Sequence, residues 1–130
     1  MTSEGHPYAR FRRALNTGNA TIALAAAREL PTISLADALA VCLLLRPEPR
    51  RYQRAILRWH ARYLAERPEL GADEAIATLA LLGALTGNRP APAARALAQL
   101  LDGRDLEPAV GRLLRWAATV ETGRGNTPPG

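Results

Sequence analysis

The chain contains no lysine; all seventeen of its basic side chains are arginine. Every basic position on its surface is therefore a planar, permanently charged guanidinium. A single cysteine, Cys42, excludes a disulfide framework. Its place in the apolar run ALAVCLLL makes a buried thiol in a reducing compartment the expectation. Two histidines, with Ser3 at a terminus and Ser34 at a helix start, leave no convergent set for acid–base or nucleophilic work. Glycine-rich phosphate loops, HExxH, CxxC and GxSxG are all absent. The carboxylate pairs Asp73-Glu74 and Asp102/Asp105 fall at helix boundaries, where dipole and capping account for them. No catalytic residue, metal site or cofactor is expected.

Strand signals are missing too. β-Branched residues are sparse and no stretch alternates with period two. The longest apolar runs, Ala38–Leu45 and Ala75–Leu85, fall short of the ~20 residues that span a bilayer, so both read as core helices and no membrane partner is expected. The N-terminal residues are polar and then arginine-rich, without an apolar leader, which points to a cytoplasmic setting.

What is present is leucine, alanine and arginine in helical order. The fold class expected is all-α: a compact bundle or short stacked array of about seven helices, filling residues 7–121 as one domain. Residues 1–6 and the Gly/Pro-rich stretch 122–130 are expected to be disordered. The longest helical pattern, residues 47–66, is taken as the central helix, with Pro47 and Pro49 at its start and Pro68 beyond its end. At about 100° per residue, Tyr52, Ile56, Trp59 and Tyr63 share one face. Leu57, Ala61 and Leu64 form a second apolar flank, with Gln53 and His60 between the two. An apolar arc so wide implies cover on two sides. His60 is read as a core histidine bonded to Gln53 or to backbone.

The remaining arc of that helix carries Arg50, Arg51, Arg54, Arg58 and Arg62. Such a stripe is most often simply solvated. The sharper reading is that arginines with few local acids repel one another unless an acidic partner faces them. Charge is uneven along the chain: residues 1–67 hold eleven arginines and five acids, residues 68–130 six and seven. Arg10, Arg12 and Arg13 of the first helix belong to the basic half and join the candidate face. The function expected is therefore a non-enzymatic protein-interaction module with an acidic partner, and nucleic acid is the second candidate for the same face.

Elsewhere, Gly18 is placed to stop the first helix in a left-handed conformation, Asn19 to cap the second and Ser34 to cap the third. Asp37 is the only charge between Leu35 and Leu45. The segment ALNTGN at 14–19 resembles ALTGN at 84–88, and each precedes an alanine-rich helix, which would make a three-helix unit used twice. The alternative functional reading is a helix-turn-helix over residues 93–120. Its DNA-reading residues would be Arg104, Pro108, Arg112, Arg115 and Thr119. Asp102, Asp105 and Glu107 place acid where phosphates would lie, and no wing follows.

The stretches FRRALNTGN, ELPTISLADAL and RYQRAILRWHARYLAERP resemble those of a family of small, uncharacterised all-helical proteins from high-GC bacteria. The resemblance covers roughly the first hundred residues. It implies a helical fold and a bacterial cytoplasmic setting, and it brings no activity to carry over.

Overall fold

A computed structural model describes residues 6–125. They form an all-α bundle of α1 (His6–Asn16), α2 (Ala20–Arg28), α3 (Leu35–Leu44), α4 (Pro49–Glu66), α5 (Ala72–Ala84), α6 (Pro90–Leu101) and α7 (Glu107–Gly125), with no strand among the described residues. The expected punctuation is in place. Gly18 turns the chain at φ +75°, Asn19 accepts from Ile22 N at 3.1 Å, and Ser34 accepts from Asp37 N at 3.0 Å. Pro49 opens α4 and Pro90 opens α6, in the first turn where a missing N–H costs nothing. Helix α7 runs past Glu121 to Gly125, beyond the boundary expected at 121. No proline interrupts it, and Arg95 of α6 holds Glu121 in an ion pair. Residues 1–5 and 126–130, where disorder was expected, lie outside the described residues.

The helix with the most neighbours is α3, which packs on α1, α2, α4 and α7. Eight of its ten residues are buried. Its near-absence of charge is the physical reason: it has no face that water favours. Helix α4, expected at the centre, instead lies between α3 and α5 and buries one face only, Tyr52, Ile56, Trp59 and Tyr63. Its second apolar flank is not covered. Leu57 is 49% exposed and Leu64 36%, and Ala61 is exposed as well. Helix α5 is also less buried than its composition suggests, burying only Thr78 and Leu82 and leaving Ile76 67% exposed.

Two buried hydrogen bonds fix α4 in place, and an aromatic stack stiffens its buried face. Trp59 Nε1 donates to Leu35 O at 2.9 Å, tying it to the start of α3. Tyr52 Oη donates to Leu82 O at 2.5 Å, tying it to the end of α5. Tyr63 stacks on Trp59 at 4.8 Å and 19°. Between α3 and α4, Arg46 lies 3.7 Å over the Trp116 ring, a cation–π contact that anchors this connection to α7. Burial lowers the Arg46 guanidinium to about 10, so it stays charged at neutral pH.

The core falls into two clusters. The larger joins α3 to α7 through Leu39, Trp59, Tyr63, Leu97, Leu113 and their neighbours. The smaller consists of Phe11, Ala14, Leu15 and Ala23 against Ala40 and Val41 on the outer side of α3. The three–one–three order of helices fits the suggested repeat, but its local geometry does not recur. Gly18 has positive φ and Gly87 does not, and α6 begins at a proline without a side-chain cap. Packing differs as well: α6 and α7 lie together along their length, whereas α2 meets α3 only briefly and does not meet α4.

Candidate functional site

Because α2 and α4 both lean on α3 with their backbones apart, an open groove of about 550 Å³ runs between them. That volume is within the ~300–1,000 Å³ typical of ligand sites. Its floor is apolar: Leu24 and Ala27 from α2, Ala38, Val41 and Cys42 from α3, and Ala55 with the edge of Trp59 from α4. Alanine on three walls, Ala27, Ala38 and Ala55, helps keep the space open, since these side chains reach little way into it. The rim is basic. Arg51, Arg54, Arg58 and Arg62 line the α4 side and Arg28 the α2 side.

These arginines are not equivalent. Arg51 pairs with Glu48 at 2.9 Å. Arg62 pairs with Glu66 at 2.6 Å and also donates to Ile33 O at 2.7 Å. Arg28, Arg54 and Arg58 make no ion pair among the described residues. At ~1.5 Å per residue the row from Arg51 to Arg62 is about 16 Å long, or three helical turns. Its middle two members and Arg28 opposite carry charge that nothing in the fold answers. The thiol of Cys42 donates to Ala55 O at 3.6 Å, and burial pushes it up to about 12, against the pull of Arg58. It is a neutral part of the floor rather than a nucleophile.

Of the eight arginines expected to form one basic face, the structure brings together Arg51, Arg54, Arg58 and Arg62. Arg50 is exposed on α4 outside the groove. The α1 group lies elsewhere, because α1 packs on α2 and α3 and never meets α4. Arg10 pairs with Glu29 at 2.6 Å, Arg12 lies 3.7 Å from the buried Asp37, and Arg13 lines a separate hollow between α1 and α2. Tyr8 of α1 is 47% exposed, though its hydroxyl reaches Asp37 Oδ2 at 3.0 Å. Arg28 was not among the expected residues. In sequence it is one arginine near the end of a short helix, and only the placement of α2 brings it to the groove.

The helix-turn-helix residues do not share a free face. Arg104 is in the α6–α7 turn and holds both carboxylate oxygens of Glu74, at 2.5 and 2.7 Å. Arg112 donates to Asn16 Oδ1 at 3.0 Å, which docks this part of α7 on the end of α1. Burial and the neighbouring Arg12 lower the Arg112 guanidinium. Thr119 bonds back to Arg115 O at 3.0 Å, while Arg115 and Pro108 are exposed. His60 bonds not to Gln53, which is exposed, but to the α5 backbone: its Nε2 is 2.7 Å from Ala75 O. A carbonyl only accepts, so Nε2 carries the proton.

Among the described residues no group of His, Cys, Asp and Glu could hold a metal ion, and no helix is long and apolar enough to cross a membrane. Fold and site together define an all-α bundle with an arginine-rimmed apolar groove. Compared with models of protein families, with curated proteins and with solved structures, the chain gives no match.

Proposed function

We propose that the chain is a non-catalytic interaction module of the bacterial cytoplasm whose groove receives an acidic segment of a protein partner. One observation carries this reading: Arg28, Arg54 and Arg58 surround an apolar floor and have no acidic partner among the described residues. Arg54 and Arg58 are one turn apart, and like charges at that spacing cost ~0.2–0.5 kcal/mol on a helix. A carboxylate laid between them removes that cost and gains charge-assisted hydrogen bonds. The floor favours the same occupant, because apolar side chains find cover there and phosphates do not. Nucleic acid finds less to hold: Tyr52, Trp59 and Tyr63 are 2%, 3% and 0% exposed, so they offer no stacking platform for bases.

The test is a titration of a labelled glutamate-rich peptide, a DNA duplex and a single-stranded RNA against the native protein. The same titrations are run on Arg54→Glu/Arg58→Glu and on Arg112→Glu/Arg115→Glu, each at low and high salt. Peptide binding that weakens with salt and disappears only in the first variant is the expected result. Preferential nucleic-acid binding lost in the first variant would replace the protein partner with phosphate. Sequence-dependent DNA binding lost in the second would restore the helix-turn-helix.

A further inference from the structure

Besides the groove, the described residues leave a second surface unpartnered, and it has the complementary character. Helix α5 carries no charge after Glu74, yet it buries only Thr78 and Leu82. Its outward stripe is Asp73, Ile76, Ala80 and Gly83, all exposed, with Ile76 at 67%. Helices this apolar are ordinarily covered. Leu57 and Leu64 of α4, 49% and 36% exposed, flank the His60–Ala75 contact that joins the two helices and extend the apolar surface. At the α5 N-terminal end, Glu69 and Asp73 are exposed and make no ion pair among the described residues.

We propose that the groove is occupied by α5 of a second copy of this chain, docking head to tail. The proposal rests on the acidic-partner reading and names the partner. Three features of the two surfaces agree. Charge is complementary: unpaired Glu69 and Asp73 at one end of the ridge, unpaired Arg54, Arg58 and Arg28 around the groove. Length agrees: the stripe from Asp73 to Gly83 spans ~15 Å along its helix axis, against the ~16 Å arginine row. Shape agrees as well. Ala80 and Gly83 keep the ridge narrow where it would pass between the alanine-lined walls, and Ile76 supplies one large apolar side chain to meet Leu24, Val41 and Leu45 of the floor.

The two surfaces lie on opposite flanks of α4, so one copy gives its ridge to a second and receives a third. Such an interface closes into a ring or continues as a chain rather than forming a two-fold dimer.

The test is the mass of the full-length protein by light scattering and sedimentation, from micromolar to millimolar concentration. The native mass should rise with concentration and fall with salt. Arg54→Glu/Arg58→Glu and Ile76→Glu should each stay monomeric, and circular dichroism should show both folded, since all three side chains are exposed. The mixture decides the geometry. Each variant keeps the surface the other has lost, so mixing them should give a dimer of one copy of each. A reciprocal two-fold dimer would also regain one of its two contacts in the mixture, but its native mass would stop at two copies; a native mass that stops there, or native association with no rescue in the mixture, would overturn the head-to-tail arrangement. A native protein that stays monomeric throughout but still binds the glutamate-rich peptide would overturn self-docking and leave the acidic-partner reading standing. Monomeric behaviour with no peptide binding would end both.

Discussion

Two tyrosines on one face of α4, about three turns apart, should respond oppositely to the same substitution. Tyr52 and Tyr63 are 2% and 0% exposed. The Tyr52 hydroxyl donates to Leu82 O at 2.5 Å, whereas the Tyr63 hydroxyl is buried with no hydrogen-bond partner among the described residues. Tyr52→Phe removes a buried bond worth ~0.5–1.5 kcal/mol net. The carbonyl it leaves is in the last turn of α5 and retains only a long bond from Leu85 N, at 3.3 Å, outside the regular helix. The expected loss is therefore toward the upper end, about 1.5 kcal/mol, or roughly 6 °C in Tm for a domain of this size. Tyr63→Phe removes a hydroxyl whose desolvation, ~1–3 kcal/mol for an unpaired buried group, is uncompensated. The ring and its stack on Trp59 survive, so stability should hold or rise by up to about 1 kcal/mol. Urea unfolding followed by circular dichroism, with the slope m unchanged, measures both. A Tyr63→Phe loss as large as that of Tyr52→Phe would refute the assignment of hydrogen bonds on this face.

High pH should destabilise the bundle through its buried neutral acids. Burial raises the Cys42 thiol from 9.0 to about 12 and raises the Tyr52 hydroxyl as well, so each contributes stability that is complete below its unfolded pKa and is lost as pH rises. Thermal melts should fall from about pH 9 upward, and Cys42→Ala should show a shallower alkaline decline despite a lower starting Tm; an equal decline would discount the thiol. Glu74 and Arg104 form a partly buried pair, their side chains 24% and 30% exposed. A double-mutant cycle to alanine should give a coupling of ~1 kcal/mol, and a value near zero would make the α6–α7 turn independent of α5. Alkylation of Cys42 at neutral pH should be slow in the folded protein and complete in denaturant, and rapid native labelling would place the thiol in solvent.

Helix positions, caps and the principal buried face were legible because they depend on short-range rules. Tyr52, Ile56, Trp59 and Tyr63 share a face by angular spacing alone, and Asn19 and Ser34 cap because their side chains reach the next turn. Cover was not legible. Leu57, Ala61 and Leu64 are as apolar as the residues that are buried, and periodicity reports which side is apolar without saying what lies against it. The groove was hidden for a related reason. An alanine-rich α2 suggests a neighbour at close range, yet the same short side chains leave a gap when α2 rests on α1 instead. The stripe of arginines on α4 was plain in the sequence. Which of them are spent on Glu48 and Glu66, and that Arg28 faces the rest, depends on tertiary position.

The division of the core bears on how the groove behaves in time. Its α4 wall is anchored in the larger cluster, through Trp59 and Ile56. Its α2 wall rests mainly on the smaller one, a layer of α1 and α2 on the outer side of α3, with Ala20 and Leu24 also reaching the larger. A small apolar cluster of this kind is where local opening costs least, so α1 and α2 are expected to open together while the remaining helices stay closed. Whatever fills the groove touches both units and makes the opening of one more costly by the free energy of its binding. Amide exchange in α2 would therefore slow in proportion to occupancy even where no amide of α2 meets the ligand. If each groove is filled by the next molecule, every link added to a chain of copies stiffens the receiving end of the molecule it joins.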